Sequence, residues 1–295
     1  MSLQIKLRGT GVALVTPFDA NGSIDFESLA KVINHVISNG CEYVVTLGTT
    51  GETPVLSKEE KVELIEFTYS AVNNKVPVVV GIGGNDTNAL VKDLHSFPLD
   101  KATAVLSAGP YYNKPSQEGI FQHYKAMAKE TLKPIILYNV PGRTGKNIEA
   151  STTLRLAHEV ENIAGIKEAS GDFTLCMKIL KEKPDDFLVV SGDDALAMAQ
   201  IACGMEGVIS VAANCLPASF SEMVRLSLKS DFIKAKIKND AMLNAYELLF
   251  CENNPAGVKA FLVEMGLIQN NLRLPLVPLS MAVHQKIKNY LLPSQ

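Results

Sequence analysis

Eight short, near-continuously apolar and β-branched runs constrain this 295-residue chain more than any other feature. They fall at residues 12–16, 43–47, 76–81, 104–107, 134–138, 163–167, 187–191 and 207–211. A strand that is apolar at successive positions, not alternate ones, is covered on both faces, as parallel strands are. Helix-like stretches separate the runs. Residues 26–38 place Leu29, Val32, Ile33, Val36 and Ile37 on one face. Ser57 followed by Glu60 is a capping-box start for the next helix. Helical patterns continue at 117–130, 152–161, 174–183, 194–203 and 218–228, and a shorter, less periodic one covers 87–95. Eight strands alternating with helices predict an α/β fold, a (β/α)8 TIM barrel. An open doubly wound sheet usually has fewer strands. The Gly81-Ile-Gly-Gly-Asn-Asp stretch lacks the third small residue of a dinucleotide fingerprint, so it reads as a strand-to-loop turn.

The strand signal stops near residue 230. Helical patterns at 232–250, 254–264 and 279–291 follow, the last two separated by Asn270, Asn271, Pro275 and Pro278. The expected organisation is a catalytic barrel over 1–230 and a C-terminal helical appendage over 231–295. No low-complexity linker divides them, so the appendage should pack on the barrel. Net charge is −3, from 28 Lys and Arg against 31 Asp and Glu. With no basic surplus and no Trp, neither duplex nor single-stranded nucleic acid is a natural partner. No apolar run reaches the roughly 18 residues of a membrane span, and the first eleven residues carry no secretory pattern. The five cysteines are widely spaced, form no C-x-x-C pair and read as reduced, mostly buried thiols of a cytoplasmic protein.

Barrel enzymes place their chemistry at the C-terminal strand ends and the loops that follow. Lys167 is the sharpest residue there. It sits inside an apolar strand whose alternation puts Gly165, Lys167 and Ala169 on one face. If that face is the interior, small neighbours leave a channel for the lysine stem. Burial disfavours an unpaired ammonium, and a neutral amine attacks a ketone to form a Schiff base. The competing reading is a strand-end lysine that snorkels to an anion. Tyr138 closes the neighbouring strand and either passes protons near Lys167 or packs its ring at the mouth. Gly48-Thr-Thr-Gly-Glu is either an anion-binding nest or an ordinary turn. Tyr111 and Tyr112 suggest an interface or a packed loop. Arg143, after a Pro-Gly turn, either grips a carboxylate or is solvated. Asp193 and Asp194 are adequate as helix-capping residues. The five histidines show no metal-ligand spacing, and no P-loop or G-x-S-x-G elbow is present.

These residues carry a resemblance that runs nearly end to end. Gly11-Val-Ala-Leu-Val-Thr-Pro-Phe, Gly48-Thr-Thr-Gly-Glu, Tyr138-Asn-Val-Pro-x-Arg-Thr-Gly, Gly165-Ile-Lys-Glu-Ala and Leu272-Arg-Leu-Pro mark the chain as similar to the N-acetylneuraminate lyase superfamily of class I aldolase-type barrels. Within it the chain most resembles the dihydrodipicolinate synthase family. The resemblance implies a lyase of lysine and diaminopimelate biosynthesis that joins pyruvate to L-aspartate 4-semialdehyde, with no cofactor and no metal. Lys167 would form the Schiff base with pyruvate. Thr49 and Thr50 would hold the pyruvate carboxylate. Tyr138, Thr49 and Tyr112 would form a proton relay, Tyr112 reaching into a partner subunit's site. Arg143 would bind the semialdehyde carboxylate, and Gly192 and Ile209 would offer backbone around the substrate. The implied assembly is a homotetramer built from tight dimers. The alternative is another pyruvate-dependent aldolase of the superfamily, a sialic-acid lyase or a 2-keto-3-deoxy sugar acid aldolase. Arg143 speaks against the sialic-acid lyase, which lacks an arginine after the Asn-Val-Pro stretch.

One departure bears on regulation. Lysine-inhibited members of the family use a histidine or similar polar group and an acid at an allosteric site on the tight-dimer interface. Lys58 and Ala89 stand at the matching positions, while Asn85 and Tyr111 still match. A cation there and a missing acid predict weak or absent inhibition by L-lysine.

Overall fold

The computed structural model describes residues 2–292; Met1 and 293–295, the outer ends of the two expected domains, lie outside the described residues. Eight strands close into a barrel in chain order: β1 (Gly9–Ala13), β2 (Tyr43–Thr46), β3 (Val78–Gly81), β4 (Ala104–Ala108), β5 (Ile135–Asn139), β6 (Ile163–Glu168), β7 (Leu188–Ser191) and β8 (Gly207–Ser210). Every neighbouring pair is parallel, and β8 closes against β1 with Ile209 opposite Gly11. The helices are α1 (Leu3–Lys6), α2 (Phe26–Ser38), α3 (Lys58–Val72), α4 (Thr87–Ser96), α5 (Gln117–Lys129), α6 (Pro141–Thr144), α7 (Ala150–Glu159), α8 (Phe173–Glu182), α9 (Ala197–Ala202), α10 (Pro217–Leu228), α11 (Phe232–Phe250), α12 (Ala256–Glu264) and α13 (Met281–Leu291). The (β/α)8 expectation holds, and helices follow the barrel as expected.

Local chemistry explains the elements. Asp25 caps α2 by accepting from the Ser28 amide, and the α2 face made of Leu29, Val32, Ile33 and Val36 is buried. Ser57 and Glu60 form the full capping box of α3. The weakly periodic stretch at 87–95 is a true helix, because Asp86 accepts from the Asn88 and Ala89 amides and Leu90 and Leu94 are buried.

Two apolar layers result. Inside the barrel, Ala13, Tyr43, Val45, Val79, Ala104, Leu106, Ile136, Tyr138, Leu188, Val190 and Ile209 form one cluster, with Leu3 and Leu7 joining it from the α1 region. A larger layer fills the space between strands and helices.

The first strand differs from its expected place at 12–16. It spans Gly9–Ala13, where residues 9–12 pair with β8 and 11–13 with β2, and Gly11 faces the Tyr43 ring so closely that a Cβ would fall 2.1 Å from it. Only Val12 and Ala13 of the apolar run lie in the strand; past it, the Val15 amide donates to the Asn214 side chain instead of continuing the ladder. The helix expected at 194–203 is confined to Ala197–Ala202, and the two acids before it divide their labour. Asp193 accepts from the Ala195 and Leu196 amides, as a capping residue would. Asp194 is buried and does not cap. Its Oδ2 accepts from the Val211 and Ala212 amides at 3.1 and 2.8 Å, tying the loop after β7 to the segment after β8. Burial pushes its carboxyl up to about 6, with hydrogen bonds from Ser210 and the Ala212 amide opposing the shift. Of the cysteines, Cys41, Cys176 and Cys215 are buried, whereas Cys203 and Cys251 are exposed. Among the described residues, no helix is long and apolar enough to cross a membrane.

Candidate active site

Lys167 lies near the C-terminal end of β6, directly opposite Tyr138 of β5 in the strand register. It is 5% exposed, and its Nζ stands 4.3 Å from the centre of the Tyr138 ring. Its stem packs against Gly192. A Cβ at Gly192 would fall 2.9 Å from Lys167 Cε and 2.7 Å from Ala169 Cβ. The small residue beside the stem is thus Gly192 of the loop after β7, which the strand alternation does not name. Gly165 has another duty: a Cβ there would fall 2.7 Å from the Leu188 carbonyl oxygen, so its smallness serves the approach of β6 to β7.

The next residue, Glu168, faces away from the barrel interior. Its carboxylate accepts from Asn139 Nδ2 at 2.8 Å and from the Ser170 amide at 2.6 Å. Burial raises its pKa, and those hydrogen bonds partly offset the shift. Asn139 also donates to Asn147 and accepts from the Ile148 amide, so this pair pins the loops after β5 and β6. The acid nearest Lys167 in sequence is thus spent on loop architecture.

Thr49 and Thr50 occupy a tight 3-10 turn after β2. Two non-glycine residues in left-handed backbone, Leu47 (φ 56°) and Glu52 (φ 54°), bracket it. Thr16 Oγ1 donates to the Gly51 carbonyl at 2.7 Å, and Thr53 Oγ1 donates to the Gly48 carbonyl at 2.9 Å. The turn is further fixed from below. Glu52 and Lys259 of α12 form an ion pair of 2.5 Å with both side chains fully buried. Lys259 also donates to the Asn271 carbonyl and lies over the Phe18 ring at 4.3 Å. The Arg273 amide donates to the other Glu52 oxygen at 3.1 Å, while its guanidinium pairs with Glu60. Burial pulls the Lys259 ammonium down to about 8 despite the Glu52 charge, which acts in the opposite sense.

Arg143 sits on the exposed surface in the short α6, with Nη2 3.5 Å from the Asn254 carbonyl oxygen. Asn254 in turn donates through Nδ2 to Thr50 Oγ1 at 3.1 Å. Ile209 is buried in the barrel interior. The structure thus groups Lys167, Tyr138 and Gly192 directly, and links Thr50 to Arg143 through Asn254. Tyr112 stands apart. It is 87% exposed, with left-handed backbone (φ 70°), and the neighbouring Asn113 is anchored to the Asn85 carbonyl.

Several supporting residues escaped the sequence reading: Asn254, Glu52, Lys259, Asp194 and the Asn139–Glu168 pair. Lys259 and Asn254 lie in or beside a helical pattern, where the period gives no hint of a partner some 200 residues away. Glu52 was visible only as the last letter of the Thr-Thr-Gly turn.

The sequence pattern of the Dihydrodipicolinate synthetase family matches residues 6–292. The 4-hydroxy-tetrahydrodipicolinate synthase of Azobacteroides pseudotrichonymphae genomovar. CFP2 is 49% identical over 289 residues, covering 98% of this chain and 98% of that protein. The enzyme of the same name from Parabacteroides distasonis is 48% identical, covering 97% of each. Among solved structures, the chloride-inhibited dihydrodipicolinate synthase of Acinetobacter baumannii, complexed with pyruvate, superposes with a TM-score of 0.94 at 40% identity, covering 97% of this chain and 98% of that one. With a family match over almost the whole length, the chain belongs to the dihydrodipicolinate synthetase family.

Proposed function

We propose that this barrel acts as a lyase of the 4-hydroxy-tetrahydrodipicolinate synthase type, condensing pyruvate with L-aspartate 4-semialdehyde in lysine and diaminopimelate biosynthesis. The observation that carries this reading is Lys167: an amine near a strand end, its stem against Gly192 and its Nζ above the Tyr138 ring. The lysine amine adds to the pyruvate ketone, and water leaves to give an iminium. That cation is an electron sink, so a methyl proton departs and an enamine forms. The enamine carbon attacks the aldehyde carbon of the second substrate, whose oxygen takes up a proton. The amine of the adduct then adds to the iminium carbon, closing the ring and expelling the Lys167 amine.

In this reading Tyr138 and Thr49 move protons, Thr50 holds the pyruvate carboxylate, Arg143 receives the semialdehyde carboxylate, and Gly192 and Ile209 contribute backbone around the substrate. The exposed Tyr112 completes the relay from a second copy of the chain, which makes the working unit a homo-oligomer, a homotetramer built from tight dimers. Residues 231–295 are an accessory unit on the 1–230 barrel, and the site of action is the cytoplasm. No step calls for a metal or an organic cofactor.

Turnover of pyruvate plus aspartate semialdehyde, measured beside turnover of sialic and 2-keto-3-deoxy sugar acids, tests the assignment. Activity on the semialdehyde alone supports it; activity only on a sugar acid sinks it. L-Lysine should inhibit weakly or not at all. Ala89 offers no acid, and Lys58 already has a partly exposed partner, Asp93, at 3.7 Å. Strong inhibition at low L-lysine in a coupled assay would contradict this.

A further inference from the structure

One residue outside the barrel touches both groups assigned to substrate carboxylates. Asn254 follows α11, is 7% exposed, and belongs to the C-terminal helical region. Its Nδ2 donates to Thr50 Oγ1 at 3.1 Å in a buried hydrogen bond. Its backbone oxygen is the acceptor for Arg143 Nη2 at 3.5 Å. Its Oδ1 is buried and has no protein partner among the described residues.

The direction of the Thr50 bond matters. A hydroxyl has one hydrogen to give and two lone pairs to receive. When the Asn254 amide fills a lone pair of Oγ1, the single Thr50 hydrogen stays free to point at an anion. Accepting a bond also polarises the hydroxyl and strengthens it as a donor. An acceptor in place of the amide would do the reverse and consume that hydrogen. We infer that Asn254 is a positioning residue that sets the Thr50 hydroxyl as a donor to the pyruvate carboxylate, while its backbone steadies Arg143 for the second substrate. This inference rests on the substrate assignment proposed above.

The test splits the two substrates. Asn254→Asp replaces the donor by an acceptor and adds a negative charge beside the carboxylate grip. It should raise the KM for pyruvate at least about tenfold. The backbone oxygen survives the substitution, so the KM for the semialdehyde should change much less. Asn254→Ala removes the donor without adding an acceptor or a charge and should raise the pyruvate KM by a few fold. A double-mutant cycle separates positioning from a merely structural role. In a Thr50→Val background, where no hydroxyl remains to orient, Asn254→Ala should have no further effect on pyruvate KM. Additive losses, or an unchanged pyruvate KM in Asn254→Asp, overturn the inference. Thermal unfolding of each variant accompanies the kinetics, and Asn254→Ser replaces any variant that does not fold. Trapping of the unsubstituted protein with pyruvate and borohydride is run alongside. If Lys167 is labelled and the cycle is additive, the positioning role alone falls; if it is not labelled, the substrate assignment falls with it.

Discussion

Lys167 and Lys259 are both buried lysines, yet their surroundings prepare them for opposite work. Lys259 is fully buried, ion-paired to Glu52, hydrogen-bonded to a carbonyl and laid over Phe18. Its ammonium hydrogens are committed, and it fastens the C-terminal helices to the turn that carries Thr49 and Thr50. Lys167 is nearly as buried, but its stem lies against Gly192 and its Nζ over the face of Tyr138. The acid beside it in sequence, Glu168, is turned outward and engaged with Asn139 and Ser170. Burial alone therefore does not mark a nucleophile. Nor does a lowered pKa, since Lys259, whose hydrogens are committed to structure, is pulled down to about 8. What distinguishes Lys167 is its place near a strand end over the Tyr138 ring, with no carboxylate paired to it among the described residues.

The sharpest way to break this contrast is to remove each amine. Lys167→Ala should lower turnover by about a thousandfold or more while leaving the melting temperature nearly unchanged, because the site loses its nucleophile but no ion pair. Lys259→Met should do the converse. It strands the Glu52 carboxylate in a dry site and should cost roughly 3–5 kcal/mol of stability, read by denaturant unfolding. Adding Glu52→Gln to that variant should recover much of the loss, since the buried charge is then gone.

A smaller effect is expected at Gly192. The methyl of Gly192→Ala would sit 2.9 Å from Lys167 Cε and 2.7 Å from Ala169 Cβ. The lysine stem must shift, and displacements near 1 Å at a reacting group cost about a hundredfold in rate. Turnover should fall to that extent with stability little altered. A variant with full activity would show that the stem is not held by its walls.

The same contrast also appears in the pH dependence of stability. Lys259 has a folded pKa near 8, below its ordinary value of 10.5. Between those two values the unfolded chain binds more protons than the folded one, so this group makes the protein more stable as pH rises from about 8 to 10.5. Below 8 the desolvation penalty is fully present. The stability gap between the native chain and Lys259→Met should therefore widen across that window. A gap that narrows would mean that the Glu52 pair more than repays the burial of Lys259.

The fold was legible because eight apolar runs and their intervening periodicities are local signals, and closure into a barrel follows from their number. Register was less so. The first strand was misplaced because Gly9, against the Glu42 side chain, and Gly11, against the Tyr43 ring, carry no propensity signal. At the site, Lys167 stood out as a lone charge inside an apolar strand, and the Thr-Thr-Gly turn by its composition. Asn254 and Lys259 did not stand out, because their meaning lies in partners at Thr50 and Glu52, about 200 residues away. Asp194 looked like a helix cap by position and instead reaches across to Val211 and Ala212. Single-sequence patterns report what a residue is next to along the chain; the supports of this site are tertiary.

The central claim is that Lys167, and not Lys259, forms the covalent intermediate. Incubating the intact protein with pyruvate and borohydride, followed by peptide mapping by mass spectrometry, tests it directly. The account predicts one reduced pyruvyl group per chain on the peptide containing Lys167, none on the peptide containing Lys259, and no labelling in Lys167→Ala. An adduct on Lys259, or a Lys167→Ala chain that still becomes labelled and turns over substrate, would contradict it.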